Sequence, residues 1–421
     1  MIRSDGIVTG EPGGAWNRGR LRSNNERLLL DQLRAAGPTS RAQLARDTGL
    51  SKPTVSHALA ALEECGLVRP AGPDSRAESA RDVAAKRGRT ALLYEPDPTA
   101  GYVLGIDIGR ARLRAAVADL SGEILARADV PNRERTATAV ADAAGQAAEQ
   151  ALRLAGIPAE RVIHATVGTP GVFDPEDDRV RLAVNLPGWG RAGLFARIRE
   201  RLGEPELSVH NDANLAALGE YEHGAGQGSR LFVYVLIGTG LGVGIVSQGE
   251  LFTGAHGAAG EVGFLPTSFT APDGYAAPDR PADARRPGRL EEAVSADAVV
   301  RAARERGLTG RLTAKRVFAE ARAGHPAAVA AVCQEGERIA HVVAAISAVL
   351  DPDLVVLGGG VGHGADLLLD PVREVLHRTT PLRPRVGASE LGDDAVLLGA
   401  LTTALRVARP QVFETRYRSA G

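Results

Sequence analysis

The sequence predicts a two-lobed α/β body preceded by a small three-helix α+β domain, and three observations carry that prediction. Gly37-Pro38 and Gly49 cut the first ordered residues into three short helical stretches. Strand and helix patterns alternate from about residue 99 onward. Two glycine-turned hairpins, Tyr102–Leu120 and Leu231–Ser247, open the two halves of that alternation, which is the mark of a duplicated fold with a cleft between its lobes. The expected boundaries are a disordered arm at 1–22, the three-helix domain at 23–95, lobes at 99–229 and 230–408, and a tail at 409–421.

Composition permits this and excludes other classes. The 421 residues suffice for about three domains, and the 44% apolar content is that of a globular protein. Cys65 and Cys333 have no partner spacing, which points to a reducing compartment, no disulfide frame and no cysteine-built metal site. Both are expected to be buried apolar residues. No apolar run approaches the roughly 20 residues that span a bilayer, and Met1–Arg22 lacks the apolar centre of a signal peptide, so a cytoplasmic protein without membrane attachment is expected. Residues 1–95 hold 15 Lys+Arg against 11 Asp+Glu, a balance of +4 that leaves −5 for the remainder. The asymmetry is modest, but its sign favours a nucleic-acid partner for the first domain.

Leu28, Leu29, Leu33 and Ala36 give the first helix its apolar stripe. Ser40 caps a second helix, Arg41 to Thr48; Gly49 makes the turn; a third helix runs from Ser51 to about Cys65, with Pro53 tolerated in its first turn. Ala45 is small enough for close helix approach, and Leu50 and Val55 fill the wedge. This is helix-turn-helix spacing. The outward face of the third helix presents Ser51, Lys52, Thr54, Ser56 and His57, short or cationic donors suited to phosphates and base edges. Arg69 to Glu95 would form a wing carrying Lys86-Arg87-Gly88-Arg89 on its returning side. Arg41, Ser51, Lys52, Thr54, Ser56, His57, Arg87 and Arg89 are therefore the expected contacts to double-stranded DNA. The competing reading is a structural bundle or a protein-docking domain, because helix pairs joined through Gly are common.

Pro96-Asp97-Pro98 is a stiff linker. The hairpin after it buries an acid, Asp107, beside Gly109, a poor choice for a core that only has to pack. Such a turn can instead bring backbone N–H groups, or a carboxylate holding a cation, up to a phosphate. A strand at 123–130, an Ala-rich helix at 135–155 and a strand at 162–167 follow; the second half has strands at 231–237 and 354–357, with helices between Ser295 and Leu350. Asn211 and Asp212 stand where a strand runs into a helix, either as plain cap residues or as groups delivered to a cleft. Gly238-Thr239-Gly240 and Gly358-Gly359-Gly360 are either phosphate and nucleoside contacts or close-packing glycines.

With those motifs in order, the chain from about Ser23 to Leu405 resembles the ROK family of repressors and sugar kinases, in its regulator branch. The resemblance implies an actin-like, ribonuclease H-type pair of lobes behind a winged helix, and a dimer. It implies that Asp212 stands where the kinases keep the base that deprotonates the sugar, that Asn211, Glu261 and Glu291 stand at sugar-binding positions, and that Asn185 fits a further sugar contact. It places Asp107 and Gly109 at the first phosphate turn, Gly238, Thr239 and Gly240 at the second, and Gly358 and Gly359 at the nucleoside. The departures are equally specific. D-x-G-G-T has become Asp107-Ile108-Gly109-Arg110-Ala111, and E-x-G-H has become Glu261-Val262-Gly263-Phe264. The cysteine-rich zinc loop is replaced by Thr267 to Arg286. No structural zinc is expected, and ATP with magnesium only if catalysis survives. The expectation is a sugar-sensing DNA-binding regulator, probing a palindromic operator as a dimer; the alternatives are an ATP-dependent sugar kinase with an attached DNA-binding domain, favoured by Asp212 and Glu261, and a scaffold that binds DNA but no ligand.

Overall fold

A computed structural model describes residues 18–73, 92–183, 186, 188–266 and 288–420. Most of the expected arm, the wing cations Arg87 and Arg89, Asn185, and the segment replacing the zinc loop lie outside the described residues. The chain divides into two compact units, residues 1–100 with 409–421, and residues 101–408.

The first unit holds α1 (Arg18–Ala36), β1 (Thr39–Ser40), α2 (Arg41–Thr48), α3 (Lys52–Glu64), β2 (Val68–Pro73) and β3 (Leu92–Pro96). The first helix begins at Arg18, earlier than expected. Ser23, Asn24 and Asn25 lie inside it, and such residues cost only about half a kcal/mol each in a helix interior. Ser40 caps α2 by accepting from the Gln43 N–H, and Gly49 ends it in the left-handed conformation that glycine adopts without strain. Ser51 caps α3, accepting from the Thr54 N–H. Leu29, Leu33, Leu44, Val55, Leu59 and Leu62 are fully buried between the three helices. The strands pair antiparallel in the order β1-β3-β2, a winged arrangement.

The second unit contains two sheets of one design. Its first sheet is built from β4 (Tyr102–Ile108), β5 (Arg112–Asp119), β6 (Ile124–Pro131), β7 (Val162–Thr169) and β10 (Glu206–Asn211), with α4 (Ala137–Ala155) after β6. A small hairpin of β8 (Val172–Asp174) and β9 (Arg179–Arg181), then α5 (Leu194–Arg201), separate β7 from β10. Next come α6 (Asp212–His223) and the second sheet's β11 (Leu231–Ile237), β12 (Leu241–Ser247) and β13 (Glu250–Leu251). The helices α7 (Arg289–Ala293), α8 (Ala296–Glu305), α9 (Ala314–Arg322) and α10 (Pro326–Leu350) precede β14 (Leu354–Gly358). The chain ends with α11 (Gly359–Gly362), α12 (Ala365–Thr379), β15 (Arg385–Ala388) and α13 (Ala395–Ala420).

The orders are β10-β7-β4-β5-β6 and β13-β12-β11-β14-β15. In each sheet the opening hairpin strand sits in the centre, antiparallel to its successor on one side and parallel to the fourth strand on the other. The duplication is therefore in topology as well as sequence pattern.

Alternation along β11 shows how the second sheet is covered on both faces. Val233, Val235 and Ile237 enter the core with α8, α9, α10 and α12, while Phe232 and Tyr234 face Ala216 and Ala217 of α6. Small residues bring α6 close: a side chain on Gly244 would meet the Ala213 carbonyl at 2.2 Å. On the first sheet α4 and α5 cover one face, and Gly105 on the other packs against Leu401 of α13.

Two expectations are corrected. Residues 409–420 are helix rather than tail, and Val412 and Phe413 are buried there. Cys333 is exposed and Cys65 half-buried, because position 333 falls on the outer face of α10 while Ala331, Val332 and Glu335 face inward.

Candidate functional site

The acidic cleft starts at the junction of β10 and α6. Asn211 is the N-cap: its Oδ1 accepts the N–H groups of Ala213 (2.9 Å) and Asn214 (3.2 Å), and its Nδ2 donates to the Gly171 carbonyl (3.1 Å). Asn211 is thus a capping residue whose Oδ1 is occupied by its own helix start, while Nδ2 gives one of its two N–H groups to Gly171. Asp212, the first residue of the helix, accepts the Ala213 N–H (2.9 Å) through Oδ1 and pairs with no described cation, so its carboxyl remains available to a ligand. Burial pushes that carboxyl up to about 6, against the lowering effect of the backbone hydrogen bonds, and the Glu291 charge adds to the rise.

Glu261 and Glu291 reach the same place from the second sheet's side. Gly260 fits directly over β12, where a side chain would meet the Val243 carbonyl at 1.9 Å, and the Val243 N–H donates to the Gly260 carbonyl. Gly288 lies so close to Gly263 that a side chain on it would meet the Gly263 carbonyl at 2.0 Å; this contact sets Glu291, near the start of α7, beside the 261–264 turn. Burial pushes Glu261 up to about 7, followed by repulsion from Asp212 and Glu291. Glycines thus clasp two chain segments together, and the carboxyls of Asp212, Glu261 and Glu291 lie near enough to raise one another. Phe264, at the end of the turn, is partly exposed at 37% and offers no polar group.

The phosphate-turn candidates behave differently. Asp107 and Arg114 are direct cross-strand partners in the β4–β5 hairpin, and Arg114 Nη1 donates to Asp107 Oδ2 at 3.1 Å. Arg114 also lies 3.7 Å from Asp129 and 3.4 Å from Asp393, and Asp393 lies 3.6 Å from His363 just after α11. Burial still pushes Asp107 up to about 7 despite Arg114, with Asp212 and Asp393 adding to the rise. The turn itself is braced by Asn132, whose Nδ2 donates to the Gly109 carbonyl and whose N–H donates to the Ala111 carbonyl. Arg110 and Ala111 are exposed at its tip.

On the far side, Gly358 is a packing residue: a side chain there would meet the Tyr234 hydroxyl at 1.8 Å. Gly359 takes φ +75°, with the Ile237 carbonyl 2.6 Å from where a side chain would begin. Gly238, by contrast, faces open space; its N–H donates to Gly240 and its carbonyl accepts from Ala296, leaving Thr239 exposed at the tip. A magnesium–ATP group does not fit these residues as they stand. The buried carboxylate that would face the cation already holds an arginine, and the first phosphate turn carries side chains at both tip positions. Among the described residues, no group of three or more His, Cys, Asp and Glu could hold a metal ion.

In the first unit, Lys52 and His57 are exposed on α3, with Thr54 and Ser56 half-buried beside them. Ser51 and Thr54 share a hydroxyl contact of 2.8 Å at the cap. Arg41 is held on the wing: its guanidinium lies 4.9 Å above the Tyr94 ring and bonds the Tyr94 hydroxyl.

Residues 103–407 match the ROK family, and residues 25–69 match the bacterial regulatory protein arsR family. The chain belongs to the ROK family. Within this family it is 32% identical over 325 residues to a glucokinase of Halalkalibacterium halodurans, a match covering 71% of this chain and 93% of that one. It is 25% identical over 410 residues to the xylose repressor of Caldicellulosiruptor bescii, covering 92% of this chain and 97% of the repressor. A solved ROK family transcriptional regulator, a homologue of the E. coli MLC protein, superposes with a TM-score of 0.71 at 20% identity, covering 94% of this chain and 99% of that one, and so shares the fold. The actin-like lobes and the helix-turn-helix domain stand together in one ROK chain.

Sequence reasoning missed Arg114, Asp393 and Asn132. The first had a signal, since a hairpin turning at 109–111 puts 114 opposite 107. The other two are brought in by tertiary packing.

Proposed function

We propose that this ROK protein is a DNA-binding transcriptional regulator, a repressor of carbohydrate genes, that senses a sugar or sugar derivative in the cleft of Asp212, Glu261 and Glu291. The xylose repressor relative and the arsR-type helix-turn-helix support the regulatory reading. The observation that carries it over a kinase is the Asp107–Arg114 pair, which sets an internal cation at the phosphate turn. Phosphoryl transfer depends on positioning phosphates and metal, so a turn filled in this way does not support it. The reading includes a homodimer, because two recognition helices related by a two-fold axis read a palindromic operator. Sugar acts by preferring one lobe arrangement over another, since only differential affinity shifts such an equilibrium. Lys52, His57, Thr54 and Ser56 would contact the DNA; Arg41 would act by holding α2 to the wing.

The glucokinase relative and the available carboxyl of Asp212 favour one alternative, a sugar kinase. A coupled ADP assay with magnesium–ATP and a panel of hexoses and pentoses separates the two. The regulator reading expects ADP release at the no-sugar background for every sugar; sugar-dependent release abolished in Asp212→Asn overturns it.

A further inference from the structure

Helix α3 carries its candidate DNA contacts from its N-terminal end, and its other end is closed by a side chain from far along the chain. Cys65 ends the helix, Gly66 takes φ +64°, and the Gly66 and Leu67 N–H groups donate back to the Glu63 and Leu62 carbonyls. The next two carbonyls, of Cys65 and Gly66, accept from Arg416 Nη1 at 3.3 and 3.0 Å. Arg416 Nη2 donates to the Ala100 carbonyl. A cation in this place also meets the negative end of the helix dipole. Val412 and Phe413, buried on the same turns of α13, seat the residue, and the Phe413 ring stacks on Tyr417 at 5.5 Å.

The chain passes between its two units twice, at 100–101 and at 408–409. Ala100 is the last residue before the first crossing, and Arg416 follows the second by about two turns of α13. Within the second unit the opening turns of α13 are clasped to α6, the helix that begins at Asp212. A side chain on Gly399 would meet the Leu215 carbonyl at 1.8 Å, and one on Gly219 the Ala395 carbonyl at 2.2 Å. Pro410 lies just beyond the second crossing, where its missing N–H weakens the helix ladder, so α13 needs a further tie to act as one piece.

We propose that Arg416 is the positioning residue through which the sugar cleft acts on α3, one guanidinium tying the end of that helix to both crossings. The role rests on the regulator reading of the protein and gives it a route. Lys52 lies about 20 Å along α3 from Cys65, so a rotation of about 10° about the Arg416 anchor carries it roughly 3 Å. Such a shift exceeds what a hydrogen bond to a phosphate or base edge tolerates.

The test compares full-length wild type with Arg416→Lys by fluorescence anisotropy on DNA from directly upstream of the protein's own coding sequence. Lysine keeps a cation at the end of α3, but its single nitrogen replaces a fork whose two nitrogens reach two separate segments. Each protein is titrated with and without a panel of hexoses, pentoses and their amino and N-acetyl derivatives, and calorimetry gives the affinity for each sugar. Where a sugar moves the wild-type operator Kd about fivefold or more, the shift falls below about twofold in Arg416→Lys, while the sugar's own Kd stays within about twofold. A larger shift in the variant, a parallel loss of sugar binding, or a folded variant that binds no operator under any condition overturns the role of Arg416 and leaves the regulator reading intact. If the variant melts early, amide exchange in the wild type decides. The same sugar then changes exchange across residues 62–67 by about twofold or more, and unchanged rates there overturn the role. A wild-type protein indifferent to every sugar overturns the regulator reading and the role with it.

Discussion

Removing Arg114 is the sharpest structural perturbation available. Its guanidinium is 16% exposed and lies 3.1 Å from an Asp107 carboxylate that is 6% exposed. At that distance, and at an effective dielectric of about 20, the attraction is about 5 kcal/mol, most of it offset by the cost of taking both charges out of water. Arg114→Ala leaves that desolvation cost on Asp107 without a partner, and orphaning one member of a buried pair costs about 3–5 kcal/mol. For a unit of this size that is a fall in Tm of roughly 5–15 °C. Asp107 already sits at about 7, raised from the ordinary carboxylate range, and losing Arg114 removes its largest lowering influence. A raised carboxyl stabilises the fold when protonated, and that contribution is lost as pH rises through the folded value. Scanning calorimetry should therefore find the Arg114→Ala defect largest near about pH 8 and much reduced near about pH 5.5, where Asp107 holds its proton. Asp107→Asn in the same chain should recover most of the loss at the higher pH. An equal defect at both pH values, or no recovery in the double variant, would refute the assignment of a buried ion pair to the phosphate turn.

Glu335 is 1% exposed on α10, and burial pushes its carboxyl up to about 8 against the opposing charges of Arg338 and Arg301. Stability from its proton is lost as pH rises through that value, so Glu335→Gln should raise Tm over wild type near about pH 9 and match it near about pH 5. Lys52→Ala should weaken DNA binding severalfold and reduce the salt slope by about one, as loss of one phosphate contact does. Arg41→Ala should act through stability, lowering the melting temperature of the first unit by the equivalent of about 1–2 kcal/mol with the loss of its stack on Tyr94. A reduced salt slope in Arg41→Ala without a stability change would place Arg41 on the DNA instead.

What could be read from the sequence was whatever rests on local chemistry. Ser40, Gly49 and Ser51 announce the helix-turn-helix because capping and left-handed turns demand those residue types. The two glycine hairpins announce the duplicated sheets because period-two alternation flanks each turn. Asp212 and Glu261 were legible as candidates from their places beside a strand end and a glycine turn, whereas the bond from Asn211 Nδ2 to the Gly171 carbonyl appears only in the folded β7–β8 connection. For Gly358 the sequence allowed a nucleoside contact or close packing; the packing against Tyr234, more than a hundred positions away in sequence, appears only in the fold. Asp393 had no local signal; it reaches Arg114 only once the loop before α13 is in place. Cys333 was misjudged because composition says nothing about which face of a long helix a residue occupies.

The regulator reading stands or falls on the coupling of sugar to DNA. Fluorescence anisotropy on DNA taken from directly upstream of the protein's own coding sequence, at one fixed salt concentration, measures it with and without each of a panel of hexoses, pentoses and their amino and N-acetyl derivatives. One sugar should change the apparent Kd about fivefold or more, within the usual range of allosteric coupling, and Asp212→Asn and Glu261→Gln should abolish the change while still binding the DNA. Operator binding indifferent to every sugar of the panel would contradict the coupling.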